Sequence, residues 1–180
     1  MSTRRVAILG AGARGGRWTR RFHRLGWDVR VFDPNPAAEG AIPLSDGWSR
    51  HDTISEAVAG ADWICVNLPE RLELVQMVIA RAQGASSDAA TILATTRVFD
   101  AEQVQSCAIR PGRVVQVNEA EDGGLVLGVT DRNGDPVRDD VRLTLSAIAA
   151  QIGLDEATQP DQQSGVINLR IWPGPASAEG

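Results

Sequence analysis

Neither lysine nor tyrosine occurs anywhere in this 180-residue chain, so all 18 of its basic residues are arginine. Without lysine there is no Schiff-base chemistry, and without tyrosine no tyrosine–lysine pair can move a proton during hydride transfer. Cysteine and histidine are nearly absent too. Cys65 and Cys107 show no CxxC spacing, and His23 and His51 stand apart, so the sequence offers no ligand cluster for a metal. Cys65 lies inside the apolar run "WICVNL" and reads as a small buried residue. A formal net charge of −5 argues against a nucleic-acid partner, whose phosphates reward clustered positive charge. No apolar run approaches the roughly 20 residues that span a bilayer, and the N-terminus lacks a signal-peptide core. The expectation is a soluble, cytoplasmic protein with no membrane partner, long enough to bury one real core.

What is present is an alternation of two periodicities. Val6–Leu9, Asp28–Phe32, "WICVNL", "ATILATT", "RVVQVN", "LVLGVT" and "VINLRIW" read as strands. Between them, Arg14–Leu25 carries Trp18, Phe22 and Leu25 on one helical stripe, with Arg17, Arg20, Arg21 and Arg24 mostly on a solvated face. "DTISEAVAGAD" offers a short helix capped by Asp52 or Thr53 and ending at Gly60. "PERLELVQMVIARAQG" places Pro69 in a first helical turn, a stripe of Leu72, Val75, Ile79 and Ala82, and Gly84 as the stop. "DAEQVQSCAI" and Val137–Ile152 complete the helices, and the segment from Asp33 to Asp52 reads as loop. Strands alternating with helices imply an α/β fold with a mostly parallel sheet covered on both faces. One domain is expected over residues 1–172, with a disordered tail at 173–180.

The first strand runs straight into "GAGARGG", Gly10 to Gly16, and then into a helix. In a dinucleotide fingerprint each glycine has its own steric task. Gly10 permits the tight turn, Gly12 lets a pyrophosphate approach the backbone, and Gly15 allows close helix–strand packing. Ala11, Ala13 and Arg14 fill the remaining loop positions, and the helix N-terminus turns N–H groups toward the phosphates. An acid roughly 20 positions on should close the second strand and accept ribose hydroxyls, and Asp33 stands there. Its carboxylate would repel a 2′-phosphate, which favours NAD over NADP. Arg14 is the loop residue that would soften that preference. The pattern therefore predicts a Rossmann-like, doubly wound domain, either binding a dinucleotide or retaining the fold with a decayed site.

The segments "VAILGAGARGGRWTRRFHRLGWDVRVFDPNP" and "SEAVAGADWICVNLPERLELVQMVI" resemble the NAD-binding domain of the 3-hydroxyacyl-CoA dehydrogenases, and among them the L-carnitine dehydrogenases. By that resemblance, Gly10, Gly12, Gly15 and Asp33 would hold the adenosine and pyrophosphate. Glu70, next to Pro69, would lie on the nicotinamide side, although a glutamate there also reads as an ordinary acid favouring the positive end of a helix. Ala94, Thr95 and Thr96 would pass near the nicotinamide ribose. The resemblance also marks departures. Val75 stands where the family has a basic residue, and Arg97 and Val98 stand where it has small hydroxyl residues. The family's catalytic histidine falls on Asn118 and its partner glutamate on Thr130, with "EAEDGG" between them. The family's acyl-CoA-contacting insertion and C-terminal helical domain have no counterpart here, which leads us to expect a homodimer or a partner subunit covering the exposed face.

Three readings follow. The chain is an NAD-binding protein without the family's alcohol oxidation, acting as an accessory or cofactor-responsive subunit. It is an oxidoreductase for a small hydroxy acid or acyl substrate whose site is completed by a second chain, with Arg97, Asn118, Glu119 and Glu121 lining the cleft; the acids also read as a solvated loop. Or it is a degenerate domain serving only in assembly, with "VINLRIW" extending the sheet or pairing between copies.

Overall fold

Successive side chains of a strand point to opposite faces. In β1 (Arg5–Leu9), Val6 and Ile8 enter one core while Ala7 and Leu9 enter another, and all four are fully buried. A strand covered on both faces needs no polar alternation, which is why "VAIL" is continuously apolar. The computed structural model describes residues 3–35, 37, 47–119, 125–128, 143, 154–160 and 167–173. These form α1 (Ala13–Arg24), β2 (Asp28–Phe32), β3 (Trp48–Arg50), α2 (Ile54–Val58), β4 (Trp63–Val66), α3 (Leu72–Ala85), β5 (Thr91–Thr95) and α4 (Ala101–Gln105). A 3-10 turn at Pro111–Arg113 then leads into β6 (Val114–Glu119), followed by β7 (Leu125–Gly128), β8 (Leu154–Pro160) and β9 (Ile167–Pro173).

The described strands make one sheet in the order β3-β2-β1-β4-β5-β6-β7-β9-β8. From β3 to β6 every neighbouring pair is parallel, which gives the expected Rossmann-like block of six strands flanked by helices. Beyond it the direction reverses: β7 runs antiparallel to β6, β9 to β7, and β8 to β9. Ile167–Pro173, which includes all of the expected "VINLRIW" strand but its first residue, thus extends the sheet within its own chain. Two strands were not expected. β3 is three residues long, too short to show a period, and β8, "LDEATQP", lacks the apolar alternation that announces a strand. Pro173, expected in the tail, closes β9. The helix expected over Val137–Ile152 lies outside the described residues except for Leu143, as does the tail from residue 174.

One face of the sheet is covered by α1, whose Trp18 and Phe22 are fully buried against Val29, Val31, Trp63, Cys65 and Val117. The other is covered by α2, α3 and α4 through Ala57, Val75, Ile79, Ala82 and Val104. Arg21 departs from the solvated stripe assigned to it. It is 9% exposed, and its guanidinium lies 4.8 Å from the Trp18 ring centroid. Residues three apart on a helix face one another across a turn, so the cation caps the indole face.

The helix α3 begins later than its sequence pattern implies. Arg71 is the extended N-cap (φ −128°), and its N–H donates to the Pro69 carbonyl at 2.7 Å. Pro69 therefore sits in a tight turn before the helix, not in its first turn, and Gly84 lies inside the helix, which stops at Ala85. Thr53 caps α2, accepting from the Glu56 N–H at 3.1 Å. In α4 a reciprocal cap forms: Asp100 accepts from the Gln103 N–H at 2.8 Å, while Gln103 accepts from the Asp100 N–H at 3.0 Å. Asp100→Ala is expected to cost about 1 kcal/mol of stability, read as a lowered urea midpoint with an unchanged slope.

Candidate functional site

The three fingerprint glycines occupy three different environments. Gly10 adopts φ +95°, and a Cβ there would stand 2.2 Å from the Asn67 carbonyl oxygen, so only glycine fits between β1 and the end of β4. At Gly15 a Cβ would lie 1.9 Å from the Gly10 carbonyl oxygen, which fixes how closely α1 packs on the loop. Gly12 is the opposite case: nothing lies within 4 Å of its would-be Cβ. It is the N-cap of α1, in extended geometry, and no acid occupies the helix's first turn. Open space in front of a helix N-terminus, with its N–H groups and partial positive charge, is what an incoming phosphate requires.

Asp33 follows β2 directly and reaches back to this loop. Its Oδ2 accepts from the Ala11 N–H at 2.7 Å, and its Oδ1 accepts from the Asn35 N–H at 2.8 Å. The carboxylate thereby sets the shape of the turn. It also lines a cavity of about 680 Å³ whose walls include Gly10, Gly12, Arg14, Phe32, Leu74, Met77 and Arg81. Sites for small organic ligands commonly enclose about 300–1,000 Å³ with mostly apolar walls and a few fixed polar groups.

On the other side of the loop, Arg14 crosses toward the ends of β4 and β5. Its Nη1 donates to the Thr95 carbonyl at 2.6 Å, and its Nη2 meets Glu70 Oε1 at 3.1 Å. Glu70 also accepts from the Thr96 hydroxyl at 2.6 Å and from the Arg97 N–H at 3.1 Å. Glu70 precedes α3, so it is not an acid of that helix's first turn, a place taken by Glu73. The Thr95 hydroxyl turns inward, within hydrogen-bond distance of the Val66 carbonyl at 2.9 Å and Asn67 Oδ1 at 2.8 Å, which share its one proton. Of Thr95, the carbonyl is what reaches Arg14.

Residues 1–104 match the family model described as D-isomer specific 2-hydroxyacid dehydrogenase, NAD binding domain. The chain belongs to that family. It is also similar to an L-carnitine dehydrogenase/betainyl-CoA thioesterase of Ruegeria pomeroyi, with 38% identity over 129 residues covering 61% of this chain. The match spans 26% of that relative's own length. Among solved structures, a diketoreductase superposes with a TM-score of 0.68 at 18% identity, covering 82% of this chain and 62% of the other. A 3-hydroxybutyryl-CoA dehydrogenase from Escherichia coli gives 0.58 at 15% identity, covering 68% of this chain and 31% of that one. At such identities the structures speak for the fold. The resemblance to L-carnitine and 3-hydroxyacyl-CoA dehydrogenases read from the two sequence segments thus stands.

Within this NAD-binding-domain fold, Gly10, Gly12, Ala13, Arg14, Asp33 and Pro69 line one cavity, Glu70 and Thr95 join it only through Arg14, and Ala11 and Gly15 are buried and do not line it. Asn118 lies near the end of β6, opposite Val126 of β7. Thr130, Glu121 and Asp122 lie outside the described residues. Arg97 is exposed and meets the cleft through its backbone. Sequence reasoning missed Leu74, Met77 and Arg81, although with Val78 they recur at i, i+3, i+4 and i+7 of α3, the spacing that marks a helix face. Among the described residues no group of His, Cys, Asp and Glu could hold a metal ion, and no helix is long and apolar enough to cross a membrane.

Proposed function

We propose that this chain binds NAD through its glycine loop and Asp33 and serves as an accessory or cofactor-responsive protein that does not itself oxidise an alcohol. The open space at Gly12, directly before α1, carries the reading. The pyrophosphate lies against the α1 N-terminus, and the adenosine enters the cavity beyond it, its ribose hydroxyls on Asp33. A carboxylate accepts about four hydrogen bonds in all, so Asp33 can brace the loop and hold a sugar at once. The same negative charge disfavours a 2′-phosphate, although Arg81 brings a cation to the cavity that the sequence reading had not counted.

The proposed absence of alcohol oxidation rests on the residues that stand where the 3-hydroxyacyl-CoA dehydrogenases, by resemblance, carry a catalytic histidine and its partner glutamate. Hydride removal needs a base for the hydroxyl proton, and losing one typically costs about 10²–10⁴-fold. Asparagine at 118 and threonine at 130 supply none. Isothermal titration is expected to show NAD binding at submillimolar concentration, with NADP weaker by at least about tenfold. L-carnitine and 3-hydroxyacyl-CoA substrates are expected to yield no NADH. Failure to bind NAD at millimolar concentration would contradict the reading. NADH formation from any hydroxy acid would favour an oxidoreductase completed by a second chain.

A further inference from the structure

The two halves of the cleft are not equally accessible. In a doubly wound sheet a dinucleotide lies across the carboxyl ends where strand order reverses, which here is between β1 and β4. One half enters the cavity bounded by Asp33, Asn35, Met77 and Arg81. The other must run past the end of β4 toward β5. Arg14 and Glu70 occupy that path, with side chains only 23% and 27% exposed. Their bridge is fastened at both ends: Arg14 to the Thr95 carbonyl, Glu70 to the Thr96 hydroxyl and the Arg97 N–H.

We propose that the Arg14–Glu70 pair is a latch over the nicotinamide half, so that the site recognises the adenosine diphosphate moiety and takes ADP at least as tightly as NAD. This deepens the function proposed above and rests on its placement of the pyrophosphate at Gly12. ADP leaves the latch in place and ends beside the Arg14 guanidinium, which complements its terminal phosphate. NAD must displace the latch, breaking two hydrogen bonds to a charged group before its second ribose can settle.

The latch gives ADP and NAD different responses to one substitution. In titrations of the full chain, Arg14→Met is expected to tighten NAD binding by about tenfold, roughly the worth of one charge-assisted hydrogen bond, while ADP binds no more tightly than before. Arg14→Lys keeps the charge without the planar fork that spans both partners, so NAD tightens while ADP affinity is retained. Unfolding midpoints of both variants, compared with wild type, show that each is folded. NAD binding more tightly than ADP in the wild type, or NAD affinity that does not rise in either variant, would overturn the latch and leave NAD binding standing. Binding of neither ligand to any of the three proteins would overturn the latch and the function beneath it together.

Discussion

Gly12→Val is expected to lower NAD affinity by at least about 100-fold and leave the fold intact. The side chain enters open space in the protein, since nothing lies within 4 Å of its Cβ, and the N-cap backbone is extended, a conformation valine adopts readily. Exchanging glycine for valine at an N-cap costs under about 1 kcal/mol, a midpoint shift of roughly 4 °C at most for a domain of this size. What the isopropyl group blocks is the pyrophosphate. Losing two charge-assisted hydrogen bonds to the α1 N-terminus, each worth about 1.5–3 kcal/mol, accounts for the fall. Gly15→Ala, three residues on, should behave in the opposite way. Its Cβ would meet the Gly10 carbonyl oxygen at 1.9 Å, a backbone atom that cannot rotate aside. Overpacking of this kind costs about 1–3 kcal/mol or more and should appear first as a lowered urea midpoint. If Gly12→Val unfolds the protein, or binds NAD like wild type, the division of labour among the glycines is wrong.

Phe22→Ala should be the most destabilising single truncation on the α1 face, at about 3–5 kcal/mol. The ring is fully buried, and its centroid lies 5.8 Å from Trp18, 5.0 Å from Trp27 and 6.4 Å from Trp63. It thus ties α1 to the start of β2 and to β4. Removing it leaves a cavity among rigid aromatics that cannot collapse to fill the space, and tilted ring pairs add about 0.5–1.5 kcal/mol each beyond area burial. Against a typical total of about 5–15 kcal/mol, this is a large share. Because the three neighbouring tryptophans are buried, their fluorescence reports the transition directly. A loss below about 1 kcal/mol would show that α1 is not anchored through this cluster. The consequence reaches the site, since α1 carries the N–H groups that meet the phosphates, and loosening the helix weakens NAD binding as well.

Much of this was readable in the chain. Runs such as "VAIL" and "WICV" are apolar throughout because both sheet faces are covered, and short turns leave few ways to connect them. The glycine loop was readable because its spacing follows a strand and opens a helix: Gly15 packs on Gly10 five residues back, while the contact of Gly10 with Asn67 is a distant one that the motif only implies. The Arg14 latch was not. Its partners Glu70 and Thr95 stand 56 and 81 residues away, and no local period signals which distant strand end a long side chain will reach. Arg21 was misplaced because charge was taken to imply solvent, whereas a guanidinium can cap an indole on the helix's own preceding turn. The late start of α3 has a similar cause. Pro69 suits a helix N-terminus by its fixed φ, but Arg71 is extended and Glu70 is drawn across the cleft, so the chain turns first and winds afterwards.

The most direct test of the account is a crystal structure with NAD present at millimolar concentration. The adenosine is predicted to lie in the cavity between Asp33 and Met77, with ribose hydroxyls on the Asp33 carboxylate and the pyrophosphate over Gly12. Density for the dinucleotide elsewhere on the molecule, or a cavity holding only solvent under those conditions, would contradict it.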